Sequence, residues 1–238
     1  MLIAENIARI EDRIQKACNS AGRKRNEITL MGVTKFVPIP KIEDAYRCGI
    51  RCFGESRVKE AGEKFGDFRE NHSDALLHMI GSLQRNKTKQ AVLLFDCIQS
   101  VDRNELINEL GKHSHSVESR QLERRTFNIL LEMHTGEETK AGFTNIDALF
   151  KAAELVLSVG NIKLTGLMTM APFTKDANLI RYSFRQLVKG KRELEKRFPA
   201  IEGKINWDVL SMGMSNDFEI AIEEGSTLLR IGSAIFDE

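Results

Sequence analysis

The sequence has few of the residues that mark specialised classes of small protein. Its 238 residues include only four prolines and four cysteines, and no two cysteines form a C-x-x-C pair. The count of four does not by itself exclude disulfides, but a domain of this size without a secretory signal usually keeps its cysteines reduced and buried. We therefore expect reduced thiols, no metal site and a location in the cytoplasm.

An excess of charge of one sign is also missing. The chain has 35 Lys and Arg against 34 Asp and Glu, a formal net charge of +1. Nucleic acids and anionic membranes usually bind a basic patch or tail, so we expect neither as a partner. No stretch reaches the roughly 20 apolar residues of a membrane helix. With 42% hydrophobic residues, the chain is expected to fold as one domain over residues 1–238.

The apolar residues that are present follow two periods. Ile3, Ile7 and Ile10 are three or four residues apart, which predicts an amphipathic helix over residues 3–21. Eight short apolar runs of strand length follow, with helical segments between them. The predicted strands are Ile28–Val33, Ile50–Phe53, Leu76–Ile80, Cys97–Val101, Phe127–Met133, Leu164–Met170, Val209–Met212 and Leu228–Ile231. The predicted helices lie at about 39–48, 57–68, 83–95, 103–112, 145–159, 176–198 and 216–224.

This alternation of strands and helices predicts the fold class. Parallel strands joined by right-handed crossovers are expected, and eight such units close most naturally into an α/β (β/α)8 TIM barrel. The N-terminal helix is then an extra element. The other fold considered, an open doubly wound sheet, lacks support because neither G-x-G-x-x-G nor G-x-x-x-x-G-K-[ST] occurs. Expected helix caps are Asp102, Asn145 and Ser215 or Asn216, with helix ends at Gly49 and Gly225.

A lysine stands where the first strand reaches the mouth of the predicted barrel. Lys35 directly follows the apolar run and precedes Phe36. An amine held away from water there gives up its proton more easily and can form a Schiff base with an aldehyde. The alternative is a strand-end lysine whose amine simply reaches solvent.

Two late loops combine glycine with hydroxyl groups. Gly213 and Ser215 follow the seventh strand, while Gly232 and Ser233 follow the eighth. The loops after these strands commonly bind phosphate in TIM barrels. Ordinary turn glycines are the alternative explanation. Together with Lys35, the loops predict a ligand that carries an aldehyde and a phosphate, either pyridoxal 5′-phosphate (PLP) or the sugar phosphate of an aldolase.

Several segments resemble the pyridoxal phosphate homeostasis protein family, also called YggS/PROSC. They are Gly32–Lys35, Phe53–Glu60, His78–Lys87, Gly166–Pro172, Leu210–Glu219 and Gly232–Phe236. The resemblance covers nearly the whole chain and is most specific in the C-terminal part. It implies a fold-type III PLP-binding barrel related to the alanine racemase N-terminal domain.

The resemblance also implies roles for individual residues. PLP would form a Schiff base with Lys35. The cofactor would further contact Ser56, Met212, Ser215, Arg230, Gly232 and Ser233. Arg230 would approach the pyridine nitrogen, and Lys140 would be a possible second amine for cofactor transfer. The family usually has Asn at the position of Ser56, near the ring hydroxyl.

The implied function is a carrier role in PLP (vitamin B6) homeostasis and amino-acid balance, without catalytic turnover. PLP-dependent apo-enzymes are the expected recipients, and a monomer is expected. The alternative within the fold type is a PLP-dependent amino-acid racemase or decarboxylase. Racemases add a second domain whose tyrosine acts as acid and base, and we expect no such domain because Glu238 follows the eighth strand closely.

Overall fold

The strands of this chain close into a parallel barrel. A computed structural model describes residues 2–114, 127–136 and 141–237. Eight strands are hydrogen-bonded in sequence order, and the last pairs with the first, which confirms the TIM barrel. The strands are β1 (Thr29–Val33), β2 (Cys52–Glu55), β3 (Leu76–Met79), β4 (Cys97–Val101), β5 (Phe127–Glu132), β6 (Ile162–Met168), β7 (Ile205–Ser211) and β8 (Leu228–Ile231).

Helices surround the barrel. Those in the described residues are α1 (Leu2–Ser20), α2 (Ile39–Arg47), α3 (Val58–Asn71), α4 (Thr88–Leu94), α5 (Asn104–Ser114), α6 (Ile146–Ser158), α7 (Ala177–Arg197), α8 (Phe218–Glu223) and α9 (Ser233–Phe236). None of these helices is long and apolar enough to cross a membrane.

Side chains alternate between the inside of the barrel and the layer beneath the helices, as strand geometry requires. Phe53 of β2 faces outward and contacts Phe65 and Phe68 of α3, with ring centroids 5.7 and 5.8 Å apart. Its neighbour Cys52 packs with Met31 in a separate cluster inside the barrel. Burying one such large side chain contributes about 1.5–3 kcal/mol. This alternation also decides which residues face the mouth.

The extra helix α1 packs outside the barrel against α8, α9 and α2. Its apolar face, which includes Ile3, Ile7 and Ile10, is buried as the spacing predicted. Asn6 is buried within this face, and its Nδ2 donates to the carbonyl oxygen of Ile235, 3.0 Å away. This hydrogen bond ties the first helix to the last.

Helix ends agree with the sequence only in part. Asn145 caps α6 by accepting the Ala148 N–H at 2.9 Å, and Gly49 and Gly225 follow α2 and α8 with φ of 97° and 99°. The caps predicted at Asp102 and at Ser215 or Asn216 were wrong: α5 begins at Asn104 and the residue before α8 is Asp217. The predicted helix 83–95 divides into a 3-10 turn at Arg85–Lys87 and α4. Helix α9 was missed, because four residues are too few to show a period.

The pairing register between strands β6 and β7 shifts along their length. Leu164 is opposite Ile205 and Gly166 is opposite Val209, so β7 carries extra residues there. Gly166 has φ of 150°, and a Cβ on it would lie 1.8 Å from the Val209 carbonyl oxygen. Only glycine permits this approach of the two backbones. The prediction for β7 began four residues late, because Asn206 and Asp208 interrupt its apolar run.

We expect Gly166→Ala to destabilise the fold by at least about 3 kcal/mol, because the added methyl group collides with backbone. Gly66→Ala is the matched control: it lies inside α3 with nothing within 4 Å of the new Cβ. This control should gain about 0.5–1 kcal/mol from helix propensity. Urea unfolding of both variants tests the assignment, and equal effects would contradict it.

Candidate functional site

The closed barrel places three candidate groups on neighbouring strand ends. Strand β1 pairs with β8 on one side and β2 on the other. The loop at Gly232 and Ser233 follows β8, Lys35 follows β1 and Ser56 follows β2. Parallel strands end at the same edge of a barrel, so these groups lie side by side at the mouth. Their order is the loop at Gly232 and Ser233, then the Lys35 amine, then the Ser56 hydroxyl.

Lys35 occupies a tight turn at the end of β1. The Val37 N–H donates to the Thr34 carbonyl oxygen at 2.9 Å, and Phe36 between them has φ of 62°. This left-handed conformation is costly for a residue with a side chain. Lys35 itself is exposed. Of the two alternatives for this residue, the structure favours a strand-end lysine whose amine reaches solvent.

A buried ionic cluster supports this turn. Glu60 Oε1 accepts the Phe36 N–H at 2.8 Å and the Lys64 Nζ at 2.6 Å. Lys64 also donates to Glu55, which is fully buried and accepts the Thr34 hydroxyl at 2.8 Å. The Lys64 hydrogen bond lowers the pKa of Glu60, whereas burial raises the pKa of Glu55. The four-residue spacing of Glu60 and Lys64 is a sequence signal for this cluster, which was not predicted.

The two late loops meet as predicted. The Ser233 hydroxyl donates to Ser215 Oγ at 3.1 Å, and the Ala234 N–H points to the same oxygen at 3.4 Å. Gly232 lies against Val33, where a Cβ would be 3.4 Å from the valine Cβ. The hydroxyls and the start of α9 therefore form one small polar surface beside the end of β1.

The structure does not bring every predicted residue to the mouth. The Met212 side chain is fully buried in the core beneath the helices. Its N–H donates to Leu228 O and its carbonyl accepts the Ser226 hydroxyl, so its polar backbone groups are also engaged. Met212 supports the loop from below. Lys140 lies outside the described residues.

Arg230 lies inside the barrel below the late loops. It is 5% exposed, and its guanidinium donates to Ser211 Oγ at 2.6 Å and to the Thr169 carbonyl oxygen at 2.7 Å. These two bonds use Nη1 and Nη2. Burial lowers the pKa of Arg230 to about 10, against the opposing charges of Asp217 and Glu132. The guanidinium therefore remains charged and fixed in orientation.

Two buried carboxyl groups near Arg230 were missed. Glu132, the last residue of β5, is 4% exposed. Burial raises its pKa to about 7; repulsion from Asp102 adds to this shift and the charge of Arg230 opposes it. Asp217 accepts the Met214 N–H, and burial raises its pKa as well. A glutamate at the end of an apolar strand is a sequence signal for such a buried carboxyl group. It was overlooked because the predicted strand ended one residue later, at Met133.

Glu132→Gln is expected to change how stability depends on pH. Between the ordinary pKa of 4.5 and the folded pKa of about 7, the unfolded chain loses the proton that the folded chain keeps. Wild-type stability falls across this range, and the variant should gain up to about 3 kcal/mol relative to wild type.

Urea unfolding at about pH 5 and about pH 8 measures this difference. The exposed Glu105→Gln on α5 is the control, and its difference from wild type should not change with pH. A pH-independent effect of Glu132→Gln would contradict the buried, raised-pKa carboxyl.

Sequence comparison places the chain among known proteins. Residues 6–237 match the family model described as alanine racemase, N-terminal domain. The pyridoxal phosphate homeostasis protein of Aquifex aeolicus is 38% identical over 241 residues, covering 100% of this chain and 99% of that protein. The protein of the same name from Vibrio cholerae is 36% identical, covering 99% and 96%.

Solved structures agree with the fold. PipY of Synechococcus elongatus with PLP bound has a TM-score of 0.81 at 29% identity, covering 98% of this chain and 99% of that one. Alanine racemase from Bacillus anthracis has a TM-score of 0.69 at 12% identity, covering 96% of this chain and 55% of that one, and is similar in fold alone. The chain belongs to the pyridoxal phosphate homeostasis protein family, within the wider family of alanine racemase N-terminal domains.

Proposed function

We propose that the chain binds PLP covalently through Lys35 and acts as a PLP carrier in vitamin B6 homeostasis. The observation that carries this proposal is the order of groups on three neighbouring strand ends. A hydroxyl-rich loop follows β8, an amine follows β1 and a hydroxyl follows β2. The relatives named pyridoxal phosphate homeostasis protein support the same conclusion.

This order fits the substitution pattern of PLP. The phosphate-bearing arm, the aldehyde and the ring hydroxyl occupy three consecutive ring carbons, and the ring nitrogen lies opposite the aldehyde. With the aldehyde at Lys35, the phosphate falls toward Ser233 and the hydroxyl toward Ser56. The nitrogen is then directed away from the lysine, into the barrel where Arg230 is buried.

The phosphate contacts would come from Ser215, Gly232 and Ser233. Their hydroxyls already converge, and Gly232 leaves the backbone open to an anion. Met212 would contribute by holding Gly213 in place, since its own groups are engaged in the core. Ser56 offers a hydroxyl with no hydrogen-bond partner in the described part of the chain.

Arg230 favours a carrier over a catalyst. When bound, PLP supplies an aldehyde and an electron-withdrawing ring. A guanidinium can donate a hydrogen bond to the ring nitrogen but does not give up its proton, so the ring withdraws electrons weakly. The chain has two tyrosines, and the Tyr46 hydroxyl donates to Asp74 on the outer surface. Tyr182 is exposed on the outer helix α7, so neither tyrosine is placed for racemase-type proton transfer at the mouth.

Exposure of Lys35 suits release of the cofactor. Water or a second amine can reach a covalent bond at this exposed position. PLP-dependent apo-enzymes are the proposed recipients, and Lys140 is the proposed second amine. All of the proposed contacts come from one chain, which is consistent with a monomer. Three of the four free cysteines are buried, which fits a reducing cytoplasm.

Lys35→Ala should abolish the yellow absorbance of protein mixed with PLP, because the covalent link is lost. Lys59→Ala, an exposed lysine on α3, should retain it. Borohydride reduction followed by peptide mass mapping locates the attached group. A pyridoxyl label found mainly on another lysine would overturn the assignment.

Turnover and transfer distinguish a carrier from an enzyme. In deuterated water, the PLP-loaded protein should exchange the α-proton of L-alanine no faster than free PLP at equal concentration. The same preparation should restore activity to a PLP-dependent apo-enzyme. Exchange well above free PLP would favour the racemase alternative.

A further inference from the structure

A second cavity lies at the opposite end of the barrel from Lys35. Its volume is about 300 Å³, and it is lined by early residues of β3 to β7, including His78, Asn128, Lys163, Asn206 and Asp208. The extra residues of β7 opposite Gly166 belong to this lining. Bulges of this kind re-aim side chains, and here they turn polar groups into the cavity.

Charged side chains of both signs line the cavity: Lys163, Asp208 and Asp96, of which Asp96 is paired with Arg69 at 3.0 Å. Lys163 and Asp208 have no ion-pair partner among residues 2–114, 127–136 and 141–237. Asn128 stands opposite Lys163 on the neighbouring strand. Asn206 also lines the cavity, although its Oδ1 is itself shielded from solvent. A ligand with one cationic and one anionic group would satisfy this set.

A chain of hydrogen bonds joins this cavity to Arg230. The Arg230 Nη1 donates to Ser211 Oγ at 2.6 Å, and the Ser211 hydroxyl donates to Gln99 Oε1 at 2.6 Å. The Gln99 amide then donates to His78 Nδ1 at 2.8 Å. His78 is neutral, since burial lowers its pKa to about 4. Its proton is consequently on Nε2, the donor left for the cavity.

We propose that this cavity binds a zwitterionic α-amino acid and that its occupancy alters cofactor affinity at the mouth. The carboxylate is held by Lys163, Asn128 and the His78 Nε2–H. The ammonium group is held by Asp208. Binding at the cavity is independent of the proposed function, whereas the coupling rests on it.

The coupling follows from the direction of the hydrogen bonds. A carboxylate that accepts from His78 increases the negative charge on Nδ1, which strengthens the bond from Gln99 and, in turn, those from Ser211 and Arg230. The guanidinium that faces the proposed ring nitrogen is thereby held more firmly. By linkage, cofactor binding changes amino-acid affinity by the same factor.

Calorimetry on the cofactor-free chain tests binding. L-alanine should bind saturably, while propionate and ethylamine, which each carry one of its charges, should bind at least about tenfold more weakly. Lys163→Met and Asp208→Asn should each weaken L-alanine by a similar factor, and Lys89→Met, an exposed lysine on α4, should not.

The chain has one tryptophan, Trp207, between Asn206 and Asp208, so its fluorescence gives a second readout. Absence of saturable L-alanine binding, or binding that the Lys163 and Asp208 variants leave unchanged, would overturn the site.

Coupling is measured with pyridoxine 5′-phosphate, which lacks the aldehyde and does not react with amino acids. Saturating L-alanine should change its affinity by about two- to tenfold in wild type and not in Lys163→Met. Gln99→Leu should still bind L-alanine but lose the change, with circular dichroism checking its fold. Binding that L-alanine does not affect would overturn the coupling alone, whereas no binding of pyridoxine 5′-phosphate would overturn the proposed phosphate and ring contacts on which the coupling rests.

Discussion

Pairing of the first strand with the last is the constraint on which the site depends. Strand β1 is hydrogen-bonded to β8 over Thr29–Gly32 and Leu228–Ile231. Residues nearly two hundred positions apart thus share one edge, and the amine after β1 lies beside the hydroxyls after β8. In an open sheet these two ends would be far apart. The order of groups that matches PLP is consequently a product of barrel closure.

Charge inside the barrel is balanced over several strands. Arg230 enters from β8, Glu132 from β5 and Asp217 from the loop before α8, and all three are buried. Removing a charged group from water is expensive, so such groups persist where opposite charges and hydrogen bonds offset the cost. Arg230 meets this condition through Ser211 and the Thr169 carbonyl. The barrel therefore contains a buried layer of charged and polar groups below the late loops.

The sequence predicted those parts of the structure that depend on local patterning. Apolar runs of strand length predicted all eight strands. Glycines beside hydroxyl residues predicted the two loops that meet at Ser215 and Ser233. Long-range effects escaped prediction. The burial of Glu132 was not predicted, because the positive charge that offsets its cost, Arg230, lies on the distant strand β8. The start of β7 was missed because Asn206 and Asp208, which line the cavity, interrupt its apolar run.

The turn at Phe36 connects Lys35 to helix α3 outside the barrel. The Phe36 N–H donates a hydrogen bond to Glu60 on α3. Lys64 of the same helix also donates to the Thr34 carbonyl oxygen. The barrel strand alone does not fix the direction of that turn. A shift of α3 would therefore move the Lys35 amine, the group proposed to bind PLP, without any movement of the barrel strands.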